Sequence, residues 1–579
     1  MAEQKENLKI GPMIINKKDI KKILCWLLIA FAANVHGQEI AERVYLQTDK
    51  PLYLAGELAY LKAFTVTPEK KPLSFSKIVY VELLDETNPK VQVKIELTGG
   101  IGEGWMELPL NLPTGLYRLT AYTRFMRNEG ESVFFEKNIG IVNTFLPNQI
   151  KREAAGVSSQ TYGTQDIPTL SLQTDKRSYA NREKGILKLD GLPENIHTLS
   201  VSIAGKAPVA VEGVNEIRQW EKQVPSISET PLDKYTPEYE GHIINGKIIP
   251  VQTTRNTEGE ILIPLLSIPG ENLFLFEGQK NDLNNVSFYT ANVSGVKEMS
   301  TIAYNLSENI FRIDLLSPFV EQHTKKPLPA LKVDSTHFDG LLERTVALQA
   351  LYAYTKDMIV QNPGDMRFQI QPSRTYILDE WTRFVVMSEL TTEFISELRF
   401  RRNNSQKREI QLIKREGDIA IVVRPLVVLD GIPIMDHEII YQYNPLLVER
   451  VNIYAEEFVY GGRKFDGVVE FLTYDRNYPA LSTAQSTQIV NYAGTQAPRK
   501  LYTPDYSSET DRQSRLPDFR HTLLWEPMLQ TKGKPTVDVP FYTSDFTGEF
   551  LITVEGLTKD GKIVSGTATF DVKNLSSNK

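Results

Sequence analysis

The sequence predicts a mainly β, multidomain chain, with tandem antiparallel β-sandwiches followed by a mixed α/β module. Three observations carry this. Residues 43–142 hold a series of short β-type runs separated by Gly, Pro and Asn turns, the pattern of an antiparallel sandwich. One of these runs keeps a strict period of two: Val91, Val93, Ile95 and Leu97 alternate with Gln92, Lys94, Glu96 and Thr98. That alternation predicts one buried and one wet face. Finally, Leu46-Gln47-Thr48-Asp49-Lys50, followed by Tyr53, recurs as Leu172-Gln173-Thr174-Asp175-Lys176, followed by Tyr179. A motif repeated one domain length later has tandem related sandwiches as its simplest cause.

Length and composition fit this class. A chain of 579 residues, 41% hydrophobic, has material for about three to five domains. A net charge of −7 lacks the basic excess that nucleic-acid binding requires, so that class of partner is excluded.

The chain opens with Lys17, Lys18, Lys21 and Lys22, an apolar run from Ile23 to Ala33, and Val35-His36-Gly37 as a small-residue exit. This is the pattern of a secretory signal peptide over 1–37, with Met13 as an alternative start. The run is short for a membrane span, so membrane association is expected through a partner rather than through a span of the chain itself. The single cysteine, Cys25, lies inside this leader. The mature chain therefore has no disulfide, thiolate nucleophile or Cys-ligated metal.

The first sandwich is expected over 38–145, with strands at Arg43–Thr48, Glu57–Thr65, Lys77–Leu84, Val91–Thr98, Trp105–Leu110, Gly115–Thr123 and Val133–Val142. Residues 146–167 are polar and aperiodic and read as a linker. A second sandwich is expected over 168–298, interrupted by an insertion at 221–258. Residues 299–374 read as a connecting region with a helix at Leu341–Thr355. The α/β module spans 375–478; Phe384, Met387, Phe394 and Leu398 fall on one face of a helix over Asp379–Phe400, and Ile419–Leu429 reads as a buried strand. An irregular linker at 479–517 and a terminal β region at 518–579 complete the chain.

Two segments carry family resemblances. Arg43–Phe64, with Asp49, Lys50, Pro51, Tyr53 and Gly56 in a strand–turn–strand setting, resembles the opening of the second macroglobulin domain of α2-macroglobulins and complement-like proteins. Gly115-Leu116-Tyr117-Arg118-Leu119 is similar to that family's later G-x-Y-x-L strand. The second LQTDK copy extends the resemblance to 168–296. Pro425–Tyr474 resembles the plug domain of TonB-dependent outer-membrane receptors. The carrying residues are Asp430-Gly431-Ile432-Pro433, Asn444-Pro445, Val448-Glu449-Arg450-Val451, Tyr460-Gly461 and Gly467-Val468-Val469. A receptor needs a long run of barrel strands after its plug. The stretch 475–579 is too short for one, so the resemblance implies an orphan plug, as in predicted envelope proteins of Bacteroidetes-type bacteria.

The residues offer little chemistry. Covalent protease trapping by a Cys–Gln thioester is excluded because the mature chain has no cysteine. The histidines show no i,i+4 pair and no H-E-x-x-H, so no metal site and no cofactor is expected. Gly99–Gly104 lacks the spacing of a phosphate loop and reads as a turn. Asp430-Gly431 reads as a turn device, with Asp capping its own backbone. Aromatics at Phe134-Phe135 and Tyr441-Gln442-Tyr443 suit either a core or an interface.

The expectation is therefore a non-catalytic, exported scaffold or interaction protein, periplasmic or at the outer-membrane periphery. Its partner would be a protein, an outer-membrane β-barrel fitting the plug resemblance. Interface candidates are Gly431, Ile432, Pro433, His437, Tyr441 and Tyr443 in the loop Gly431–Tyr443. The alternatives are an accessory ligand-binding component of TonB-dependent nutrient uptake, for a polymer or peptide, and a hydrolase using Ser or carboxylates.

Overall fold

Strand Arg43–Thr48 pairs antiparallel with Leu58–Val66, which pairs in turn with Ile101–Glu107. Facing this sheet is a five-stranded one in the order Leu52–Leu54, Phe135–Val142, Gly115–Tyr122, Ile78–Leu84, Pro89–Glu96. Leu46, Leu61, Val81, Leu119 and Ile139 belong to the one core that the two sheets bury. The strands expected over 43–142 are present with shifted ends, the run expected at Trp105–Leu110 lying earlier as Ile101–Glu107, and Leu52–Leu54 is a further short strand. The computed structural model describes residues 40–146, 169–214, 216–227, 234–250, 262–270, 274–282, 284–290, 293–305, 310–333, 337–355, 371–403, 406–416, 419–460, 463–476 and 487–574. The expected signal peptide and nearly all of the expected linker 146–167 lie outside these residues.

The repeated motif builds the same joint twice. Glu57 accepts the Leu54 amide at 3.1 Å, and its counterpart Glu183 accepts the Ala180 amide at 2.6 Å. In each copy the chain then runs parallel to the last strand of its sheet: Tyr53 lies opposite Ile141, and Tyr179 opposite Val572.

That last pairing corrects the expected domain plan. Residues 168–298 are not one sandwich, and 518–579 is not a separate region. Strands Ser171–Thr174, Ser178–Tyr179, Lys184–Asp190 and Ile196–Gly205 share their sheets with Thr522–Glu526, Thr536–Tyr542, Gly548–Thr558 and Ile563–Val572. Leu187 faces Val539 and Val201 faces Val554 in register, around a single core. Alternation along a strand specifies which face is buried, not which distant strand will cover it.

The interrupted stretch forms a third unit. Ile243–Pro250, Leu262–Ile268, Phe274–Lys280, Asn285–Tyr289, Val296–Asn305 and Ile310–Leu315 pair in a closed ring, because Leu262–Ile268 bonds both to Phe274–Lys280 and to Val296–Asn305. The expected insertion 221–258 thus contributes a strand. So does the expected linker 479–517, whose Gln488–Ala493 pairs with Val296–Thr301. Only Tyr492 of that strand is buried, so it shows no apolar alternation to read. The expected helix in the connecting region is present as Phe338–Thr355.

The α/β module has a five-stranded sheet in the order Arg374–Ile377, Val448–Tyr454, Val468–Thr473, Leu426–Leu429, Ile432–Pro433. The helix expected over Asp379–Phe400 is absent. In its place are single turns at Leu378–Glu380, Met387–Glu389 and Leu390–Phe394, and a strand begins at Leu398. The Thr391 and Thr392 hydroxyls both donate to the Ser388 carbonyl, a local alternative to helical bonding. Phe384, Met387, Phe394 and Leu398 still meet the module's core, but not from one helix. The expected strand Ile419–Leu429 breaks at Arg424-Pro425, where proline has no amide to donate. Ile419–Val423 is then a largely exposed strand and Leu426–Leu429 a fully buried one. Along the buried half, Val427 and Leu429 enter the module's own core, whereas Leu426 and Val428 pack with Ile263, Leu265 and Ile302 of the third unit.

One expected wet position is not wet. Lys94 is 3% exposed, because the segment carrying Glu238 and His242 and the strand carrying Tyr492 cover that face of the first sandwich. Its Nζ lies 3.3 Å from His242 Nε2 and 4.2 Å from the centre of the Tyr492 ring. Glu238 sits 2.9 Å from His242 Nδ1 and accepts the Tyr80 hydroxyl at 2.9 Å. Burial pushes the Lys94 ammonium down to about 7.

Candidate interaction surface

The loop Gly431–Tyr443 is entered through two residues in the left-handed region, Asp430 at φ 48° just before it and Gly431 at φ 83°. Asp430 does not cap its own backbone. Its carboxylate accepts the Thr473 amide at 2.7 Å and the Thr473 hydroxyl at 2.6 Å, tying the turn to the neighbouring strand. Its carbonyl accepts the Gly270 amide at 2.9 Å, joining the turn to the third unit. A Cβ on Gly431 would lie 3.1 Å from both Gly270 N and the Ile268 carbonyl oxygen, so this position requires glycine twice over.

The remaining candidates turn inward. Ile432 is buried in the module's core, and Pro433 is buried opposite Val428. His437 is buried and its Nδ1 accepts the Ile410 amide at 2.9 Å; burial lowers the imidazole to about 3, which keeps it neutral. Tyr443 is buried, and Tyr441 is half-buried, edge-on to Phe400 with the Arg408 guanidinium 3.8 Å from its ring centre. Gly431, Ile432, Pro433, His437 and Tyr443 therefore hold the module together and join it to its neighbour. As a surface for an outside partner they are corrected. Phe134 and Phe135 are likewise core.

An apolar surface that the sequence reading missed lies on the same module. Trp381, Leu446, Leu447 and Tyr474 are 59%, 42%, 45% and 47% exposed. Arg383 ties the backbone on either side of Leu446-Leu447 to Tyr474. Its guanidinium donates to the Pro445 and Val448 carbonyls at 2.8 and 2.9 Å, to the Tyr474 hydroxyl at 2.9 Å and to Asp379 at 2.6 Å. The Tyr474 hydroxyl in turn donates to Asp379 at 2.5 Å. Large apolar side chains rimmed by fixed charges are the composition of a protein–protein contact. The signal available in the sequence was the Leu446-Leu447 pair directly after Asn444-Pro445, where a turn would normally be polar.

Among the described residues, no group of three or more His, Cys, Asp and Glu side chains is placed to hold a metal ion. Among them, too, no helix is long and apolar enough to cross a membrane.

No protein-family model matches the sequence, and no curated protein does. Among solved structures, the chain is similar to the methylamine-reacted α2-macroglobulin of Salmonella, at 10% identity and a TM-score of 0.24, over 93% of this chain and 40% of that one. The elastase-activated α2-macroglobulin of Escherichia coli matches at 10% identity and a TM-score of 0.23, over 92% and 44%. The Escherichia coli adhesin FdeC matches at 8% identity and a TM-score of 0.13, over 48% and 66%. The chain thus spans about two fifths of the length of the two macroglobulins.

Proposed function

We propose that this chain is an exported, non-catalytic scaffold of a bacterial envelope that docks onto an outer-membrane β-barrel protein through its 375–478 module. The observation that carries the proposal is the exposed surface formed by Trp381, Leu446, Leu447 and Tyr474 around Arg383. Trp, Tyr and Arg are the residues that most often dominate binding energy at protein interfaces. We read the two sandwiches as macroglobulin-type domains on the strength of the repeated Thr-Asp-Lys-x-x-Tyr joint, and the module as an orphan plug. In this reading the sandwiches act as spacer and platform, and the module carries the contact.

Affinity capture of the tagged chain from solubilised envelopes of its native host tests this. A stoichiometric β-barrel protein is expected with the wild type and not with the Trp381→Glu, Leu447→Glu double variant. Recovery of the chain alone, as a clean monomer, overturns the proposal.

A further inference from the structure

A cavity of about 90 Å³ lies where the first sandwich, helix Phe338–Thr355 and the segments 499–502 and 519–522 meet. Its walls are of two kinds. Leu58, Leu348, Leu351, Leu501 and Phe519 supply apolar surface. Lys50, Arg344, Arg499, Lys500 and Arg520 supply cations, and Glu57 is the carboxylate among the lining residues.

The cations lining the cavity outnumber its one lining carboxylate, and Glu103, outside the lining, attracts Lys500. Arg344 holds Glu57 through both carboxylate oxygens at 2.7 Å, and Lys50 lies 3.6 Å from the same group and 3.2 Å from Asp49. Arg520 is held by Asp518 at 2.8 Å. Arg499 and Lys500 form no ion pair among the described residues; Arg499 instead lies over the Trp105 ring at 5.1 Å. Two lining side chains also carry buried nitrogens with no hydrogen-bond partner: Arg344 Nη1, on a residue 4% exposed, and His521 Nδ1. A guanidinium N–H left without an acceptor inside a protein is unfavourable, so an acceptor placed there is held strongly. A planar guanidinium suits a carboxylate, and leucine walls suit an aliphatic body.

We propose that this cavity binds a small monocarboxylate with an aliphatic body, its carboxylate toward Arg344 and Arg499 and its chain among Leu58, Leu348 and Leu351. This goes beyond the docking function and is independent of it: the cavity and the Trp381 surface share no residue. Such a group occurs as a short free acid or as the last residue of a peptide, and the two are separable by experiment.

Titration calorimetry on the full chain, with hexanoate and N-acetyl-leucine as probes, decides the matter. At least one is expected to bind, with its neutral amide at least tenfold weaker. A tighter hexanoate assigns the free acid, and a tighter N-acetyl-leucine assigns the peptide end. The Arg499→Ala, Lys500→Ala double variant, which gives up the Arg499 contact with the Trp105 ring and the attraction of Lys500 for Glu103 but no hydrogen-bonded ion pair, is expected to bind at least tenfold more weakly while still unfolding in one cooperative melt. Leu348→Trp, which fills the cavity, is expected to abolish binding. If it misfolds, the charge variant alone decides. Equal affinity for acid and amide, inorganic phosphate binding as tightly as the acids, insensitivity to the charge variant, or no binding at millimolar probe each overturn the proposal.

Discussion

The Tyr53 hydroxyl donates to Asp49 Oδ1 at 2.7 Å, closing a loop of five residues in which Asp49 also accepts the Tyr60 amide at 3.0 Å. The second sandwich reproduces this bond for bond. Tyr179 donates to Asp175 at 2.7 Å, and Asp175 accepts the Ile186 amide at 2.7 Å. The surroundings differ. Asp49 is buried and also accepts the Thr522 hydroxyl at 2.7 Å, a residue of the second sandwich, whereas Asp175 is exposed.

The same substitution in the two copies should therefore have unequal effects. Tyr53→Phe removes one donor from a buried carboxylate, a loss of about 1.5–3 kcal/mol; Tyr179→Phe removes it from a carboxylate that water reaches, a loss of about 0.5–1.5 kcal/mol. Thermal melts of the two variants should show the larger shift for Tyr53→Phe. Equal shifts would mean that burial of the first joint contributes nothing.

Lys62 gives a prediction of opposite sign. It is 1% exposed, its Nζ has no hydrogen-bond partner, and burial lowers its ammonium to about 7, against the attraction of Glu555 and Glu526. Between pH 7 and the unfolded value near 10.5 the unfolded chain holds this proton and the folded chain does not. Stability should rise with pH across that window, and the full penalty stands below it. Lys62→Met should stabilise the protein at pH 7 by about 1–4 kcal/mol, with the gain fading toward pH 10.5. A variant no more stable than wild type at pH 7 would show that the two glutamates already compensate the charge.

How legible these features were depends on the range of the interaction. Val93, Ile95 and Leu97 are buried as their alternation requires, since a strand's own pattern states its inward face. Lys94 is buried as well, because Glu238, His242 and Tyr492 come from far along the chain and nothing local announces them. The turn at Asp430-Gly431 was readable, but its partners Thr473 and Gly270 were not. The candidate contact residues failed for a related reason. Aromatic and apolar residues in a loop look alike in sequence whether they cover a core or face a partner.

His437 links the module's stability to acid. Burial lowers its imidazole to about 3, so it is neutral in the folded chain while the unfolded chain titrates near 6.5. Between these values the unfolded state binds the extra proton. The contribution is thus complete above about pH 6.5 and is lost as pH falls toward 3. His437→Leu should remove the acceptor of the Ile410 amide, lowering stability at pH 7 by about 1–3 kcal/mol, and should flatten the acid slope. Denaturant melts at pH 7 and pH 5 test both parts. An unchanged slope would assign the acid sensitivity to other groups.

Gly431 separates the two accounts of its loop. If the loop were a docking surface, Gly431→Ala would leave the fold intact and weaken a partner. The geometry says otherwise. The residue sits at φ 83°, and an added Cβ would meet the backbone of Ile268, Pro269 and Gly270 at 3.1–3.2 Å, with no flexible side chain there to yield. The strain of a left-handed alanine alone is about 1 kcal/mol, and the clash adds to it. The alanine variant should therefore melt lower and loosen the junction between the α/β module and the third unit. Hydrogen exchange should report this as faster exchange at the Gly270 amide, whose bond to the Asp430 carbonyl spans that junction. Wild-type melting and exchange, together with lost partner binding, would restore the loop as the contact surface and displace Trp381, Leu446, Leu447 and Tyr474 from that role.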